Sequence, residues 1–125
     1  MKPRVIHPPA GGETWFEEGC FITELCNSPD DPALSIARAR VTARTETEWH
    51  SLDVDERYLI AEGGGIMEMD GAPPTRVNPG DVVVVPAGCR QRIRNDTDDD
   101  LVFYCLCTPR FTPDAYRREP GRSLR

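Results

Sequence analysis

Apolar positions in this chain come in short β-rich runs, each broken within a few residues by Gly, Pro, Asp or Asn. The runs are CFITEL (20–25), LSIARARV (34–41), TEWHSL (47–52), ERYLIA (56–61), IMEM (66–69), TRV (75–77), VVVV (82–85), QRIRN (91–95) and LVFYCLC (101–107). Between them stand segments such as NSPDDP, EGGG, DGAPP, NPGD, PAG and DTDDD, whose residues favour turns. Nine such runs predict an all-β domain of antiparallel strands, a sandwich or a barrel. Long helical periodicity is absent. Only TPDAYRR (112–118) predicts a short helix, with Thr112 at the cap and Pro113 at the first helical position.

Period-2 alternation separates the faces of the runs. In SIARARV, Ala37, Ala39 and Val41 share one face, and Ile36, Arg38 and Arg40 share the other. The cationic face has two readings. It is a solvent face, or it sets Arg38 or Arg40 at a barrel mouth, where a guanidinium fork holds a carboxylate or phosphate. The four valines 82–85 predict a buried strand, and CFITEL an apolar edge strand in need of cover. Cys105 and Cys107 share a face, as do Met67 and Met69.

A length of 125 residues suits one domain, with a core at about 34–107, an N-terminal arm 1–19 and a tail 108–125. The net charge of −6 is unevenly spread. Residues 110–125 hold five arginines against Asp114 and Glu119, while the remainder holds ten cations against nineteen carboxylates. So acidic a body argues against nucleic acid as a partner, and Arg117, Arg118, Arg122 and Arg125 read as a solvated, fraying tail. No apolar run approaches the roughly 20 residues needed to cross a bilayer, and MKPRVIHPPAGG has no apolar leader core, so a cytoplasmic protein is expected. The five cysteines contain no C-x2-C pair and read as reduced thiols. Two histidines exclude an imidazole-rich metal cage built by one chain.

The stretch GDVVVVPAGCRQRIRN carries the most specific signal. Gly80, Pro86, Gly88 and Asn95 match the second motif of the cupin superfamily, G-x5-P-x-G-x2-H-x3-N, with Gln91 where the motif has histidine. The chain resembles that superfamily over roughly residues 34–107. The first motif, G-x5-H-x-H-x3,4-E-x6-G, is met in part. Glu56 and Gly63 are correctly separated, His50 falls on the first histidine, Leu52 on the second and Arg44 on the leading glycine. A second register sets Glu48 and His50 on the paired positions, with one residue too many before Glu56. Both registers stay open at this point.

The resemblance implies a single double-stranded β-helix barrel, jelly-roll-like, and a homodimer. It also implies a single divalent metal (Mn, Fe, Ni or Zn) on His50, Glu56 and Gln91, with Glu48 as a fourth ligand. No nucleotide or organic cofactor is indicated. The competing reading is a metal-free pocket in which His50 is the acid or base, Glu56 orients it or carries a second proton, and Tyr58 and Tyr104 add hydroxyls. Arg38, Arg40, Gln91 and Tyr104 are the candidate substrate contacts, and His50, Glu56 and Tyr58 the candidate catalytic residues. The function expected is an enzyme acting on a small polar or anionic metabolite by isomerase, lyase or cyclase chemistry. Dioxygenation is disfavoured by the shortage of imidazole. The alternative is a non-catalytic cupin that binds a metabolite as a sensor or accessory subunit.

Overall fold

The computed structural model describes residues 1–119. Their strands are Thr14–Phe16 (β1), Cys20–Cys26 (β2), Ser35–Val41 (β3), His50–Leu52 (β4), Asp55–Glu62 (β5), Gly65–Met69 (β6), Thr75–Val77 (β7), Val82–Val85 (β8), Gln91–Arg94 (β9), Leu101–Thr108 (β10) and Tyr116–Arg118 (β11). They form two antiparallel sheets, β1-β2-β3-β10-β5-β8 and β11-β4-β9-β6-β7. The alternation seen in the sequence decides what faces the interior. Val41, Ile60, Met67, Ile93, Leu101 and Phe103 close the core between the sheets, all at most 1% exposed. A smaller apolar cluster of Leu52, Val54, Cys107 and Ala115 anchors the C-terminal segment. All nine expected runs contain a strand, though TEWHSL supplies only its last three residues.

Asn95, the last residue of the second motif, ties the fold together. Its amide donates to the carbonyls of Val41 (3.0 Å) and Asp99 (2.7 Å), and its oxygen accepts from Thr97 N–H (3.0 Å) and hydroxyl (2.8 Å). The Asn95 side chain is buried, which is why an amide rather than a larger or apolar side chain is needed there.

Four expectations are corrected. The segment 112–118 is a single 3-10 turn, Pro113–Ala115, followed by β11. Thr112 turns its hydroxyl to the Asp114 carboxylate instead of capping a backbone N–H, and pairing with β4 (Tyr116↔Leu52, Arg118↔His50) draws the chain into the sheet. The basic segment is therefore not frayed at 116–118: Arg117 pairs with Asp53 at 2.7 Å and Arg118 with Glu48 at 2.7 Å. Arg122 and Arg125 lie outside the described residues. Val82–Val85 is a sheet edge, half buried, with Val82 and Val84 about 60% exposed. CFITEL is not an edge, because β1 covers it.

Candidate active site

Between the sheets lies a cavity of about 450 Å³, a volume that suits a small metabolite. It exists because one face of β3 carries Ala37 and Ala39, side chains too small to fill the barrel. The walls are largely apolar, from Trp15, Phe16, Ile22, Leu52, Phe111 and Tyr116, and the polar groups are concentrated at Glu18, His50, Glu56 and Tyr58.

Cross-strand pairing assembles this cluster. His50 of β4 stands opposite Gln91 of β9, and Glu56 begins the inward face of β5. His50 Nδ1 lies 2.7 Å from the Glu48 carbonyl oxygen and so carries the hydrogen, leaving Nε2 as the acceptor. That Nε2 is 3.8 Å from Glu18 Oε2. The imidazole stacks on the Tyr116 ring, centroids 5.2 Å apart. Burial lowers the His50 pKa, against the opposing pull of the Glu48 carbonyl and the carboxylates of Glu56 and Glu48, so the ring is neutral at pH 7.

Glu56 is held by a relay. Tyr58, stacked on Phe103 at 4.4 Å, donates its hydroxyl to Gln91 Oε1, and Gln91 Nε2 donates to Glu56 Oε1 at 2.9 Å. Burial pushes the Glu56 carboxyl up to about 7, reinforced by Glu18; the hydrogen bond from Gln91, the nearby His50 and the Cys105 thiol hold it back. Glu18 is likewise pushed up to about 7, by burial first, with the Cys20 thiol opposing and Glu48 adding to the rise. Tyr58 stays a phenol, its pKa raised by burial and then by Glu56. The cavity thus holds a neutral imidazole beside two carboxyls that exchange protons near neutrality. Such groups suit general acid and base work.

The structure brings together His50, Glu56, Gln91 and Tyr58 and sets the other candidates elsewhere. Arg38 and Arg40 point away from the cavity that Ala37 and Ala39 line. Arg40 bonds Glu13 (Nε–Oε1 3.0 Å) and Asp100 (3.0 Å), and Arg38 is 3.6 Å from Glu13. They correspond to the solvent-face reading. Tyr104 pairs across the sheet with Arg38 and Leu59, on the face opposite Cys105 and Cys107, which line the cavity. Glu48 is paired with Arg118 and is not part of the cavity wall.

Among the cavity residues that the sequence reading did not single out are Glu18, in what read as an arm, and Tyr116, in what read as a helix. The signal for Glu18 was EEG ahead of CFITEL. It is a hairpin turn, closed by Gly19 N–H to the Phe16 carbonyl at 2.9 Å, that delivers one carboxyl to the barrel.

Backbone conformation decides between the two motif registers. Arg44, where the first register requires glycine, has φ 62°, a left-handed conformation that an arginine adopts at a cost. Asp98 (2.9 Å) and the Asp96 carbonyl (2.8 Å) hold its side chain. The first register is therefore the structural one, and Leu52 occupies the second histidine position, inside the cavity.

This donor set does not fit the metal that the resemblance implies. Leu52 offers no donor atom. Gln91 spends its oxygen on Tyr58 and its N–H on Glu56, and Glu48 faces Arg118. Among the described residues no group of three or more His, Cys, Asp or Glu is disposed to hold an ion. The four-ligand expectation of His50, Glu56, Gln91 and Glu48 is corrected accordingly. All five cysteines are free thiols.

Comparison with known proteins adds a family and a set of relatives. The profile of the cupin domain matches residues 38–107. The chain is 33% identical over 75 residues to an (R)-mandelonitrile lyase of Granulicella tundricola, covering 58% of this chain and 56% of that protein. It thus spans about half the length of that curated relative. The crystal structure of the DMSP lyase DddQ from Ruegeria pomeroyi is similar at 27% identity and a TM-score of 0.58, over 62% of this chain and 39% of that one. KdgF from Halomonas sp. has the same fold at 17% identity and a TM-score of 0.74, over 86% and 96% of the two chains.

Proposed function

From the premise that this chain belongs to the cupin domain family, we propose that it is a small-molecule lyase or isomerase that moves a proton with its own side chains. The observation that carries this reading is the pair His50 and Glu18, 3.8 Å apart at the polar end of an apolar cavity. His50 Nε2, neutral and free to accept, takes a proton from the substrate's carbon or hydroxyl. The electron pair so released forms a new double bond, and a leaving group departs or a neighbouring atom is reprotonated. Glu18, close to half protonated at neutral pH, returns a proton to that centre and is recharged from His50. Glu56, fixed by Gln91, serves as the second proton carrier. Cupins often bind a divalent metal, and the donors present here favour chemistry without one.

The substrate inferred carries no net negative charge. The wall holds no Arg or Lys among the described residues, and burial keeps His50 uncharged, so an anion finds no partner inside. This revises the anionic metabolite expected from the sequence. The second reading, a non-catalytic metabolite-binding cupin, is favoured by one observation, the apolar Leu52 at a position where the family motif has histidine.

Mandelonitrile and DMSP, for which the relatives above are named, are the first substrates to try, on metal-analysed protein and followed by ¹H NMR in D2O. Conversion or solvent-derived deuterium, reduced at least 100-fold in His50→Gln, supports the lyase or isomerase reading. Saturable binding with no turnover across such a panel selects the non-catalytic one. We also infer a cytoplasmic homodimer that covers the exposed strip Leu59, Val82 and Val84; a 14 kDa species alone in sedimentation at micromolar concentration contradicts the dimer.

A further inference from the structure

The protein treats its inner and outer carboxylates in opposite ways. Outside, Glu13 pairs with Arg40, Asp53 with Arg117, Asp96 with Arg76 and Asp98 with Arg44, and each of these acids has its pKa lowered by its arginine. Inside, Glu18 and Glu56 line one cavity whose wall contains neither Arg nor Lys among the described residues. Both have raised pKa values, with burial as the first cause. Two carboxyls have thus been taken from water into a shared space without a counter-charge, an arrangement that a ligand bearing positive charge would relieve.

The rest of the wall agrees with such a ligand. Trp15, Phe16, Phe111 and Tyr116 present ring faces or edges to the same space. Phe16 packs edge-on against Tyr116 at 5.1 Å, and Tyr116 in turn stacks on His50, so these rings are fixed before anything binds. Aromatic walls attract weakly hydrated cations through the negative potential of the ring face, and quaternary centres are the cations that lose least on leaving water. An ordinary ammonium would need several hydrogen-bond acceptors. A methylated onium centre needs only apolar contact, ring faces and a nearby negative charge.

Resting on the proposed small-molecule site, we infer that this cavity takes a small onium cation, a quaternary ammonium or sulfonium compound, held by the aromatic wall with Glu18 and Glu56 as counter-charge. His50 then faces the group that the cation carries.

The test uses the full chain and three probes of similar size titrated by NMR at pH 8: choline, trimethylsulfonium and 3,3-dimethyl-1-butanol, the last being the uncharged carbon counterpart of choline. Choline and trimethylsulfonium should both bind at least tenfold more tightly than dimethylbutanol. Glu18→Gln should erase about half or more of that preference, and Phe111→Leu should weaken the two cations selectively. Equal affinity for cation and neutral probe, preference for the neutral one, or no binding of any of the three overturns the inference. Selective cation binding by a protein that fails the conversion panel leaves this inference standing and removes only the catalytic reading.

Discussion

Replacing Gln91 by leucine removes the central link of the relay without opening a large void. Gln91 is fully buried, accepts from the Tyr58 hydroxyl and donates to Glu56 Oε1 at 2.9 Å. Leucine has a similar volume, so the loss is polar rather than steric. Two buried groups lose their partner, at roughly 1–3 kcal/mol each, partly offset by about 1 kcal/mol from burying a more apolar side chain. The expected net cost is about 1–5 kcal/mol. It should be larger at pH 8 than at pH 6. Without the Gln91 bond the Glu56 pKa rises further above its wild-type value of about 7, and the charged form is the one that suffers. Urea denaturation followed by tryptophan fluorescence at the two pH values measures this, with an unchanged m-value as the control. Tyr58→Phe closes a double-mutant cycle. Because Tyr58 no longer has a hydroxyl to strand, the double variant should be about 1–2 kcal/mol more stable than additivity predicts. A loss under 0.5 kcal/mol, or strictly additive costs, refutes the relay.

Three further outcomes are expected. The Glu18 pKa is raised in the folded state from 4.5 to about 7, so its contribution is fully present below pH 4.5 and lost as pH rises through 7. Glu18→Gln should therefore match wild type at pH 4.5 and exceed it by up to about 3 kcal/mol at pH 8; a difference independent of pH contradicts the burial argument. Glu13 latches the N-terminal segment, whose residues Pro9, Thr14, Trp15 and Phe16 wall the cavity, to Arg40 and Arg38. Glu13→Gln should make Cys105 and Cys107, inside the cavity, react about threefold or more faster with N-ethylmaleimide, measured by mass spectrometry; an unchanged rate shows that the latch does not control access. Gly63 has φ 73°, and a Cβ there would lie 2.3 Å from the Asp100 carbonyl oxygen. Gly63→Ala should cost about 2–4 kcal/mol in chemical denaturation, and a near-neutral result would mean that the turn is not as drawn.

The barrel was legible because alternation and turn chemistry act locally. The small-residue face of SIARARV and the spacing from Gly80 to Asn95 say which side of a strand is inside and where the chain reverses. Three-residue strands leave no such trace. Thr14–Phe16 and Tyr116–Arg118 are too short to alternate, and each is a strand only because a neighbouring sheet edge accepts it. That explains why Glu18 and Tyr116 were missed, since both reach the cavity through those short strands. His50, Glu56 and Gln91 were identified from motif position, and Tyr58 as a hydroxyl of a metal-free pocket. Arg38 and Arg40 were not separable from surface arginines, because their partner Glu13 lies on a segment with no strand pattern. The valines 82–85 misled for a different reason: composition does not distinguish a central strand from an edge.

The central claim is that an apolar cavity keeps acid and base together at neutral pH. ¹³C NMR titration of glutamate-labelled protein tests it directly, with Glu18→Gln and Glu56→Gln identifying the two resonances. Carboxyl midpoints near 7 for Glu18 and Glu56, against a His50 imidazole titrating below 6.5, are the predicted result. Midpoints below 5 for both carboxyls would contradict it.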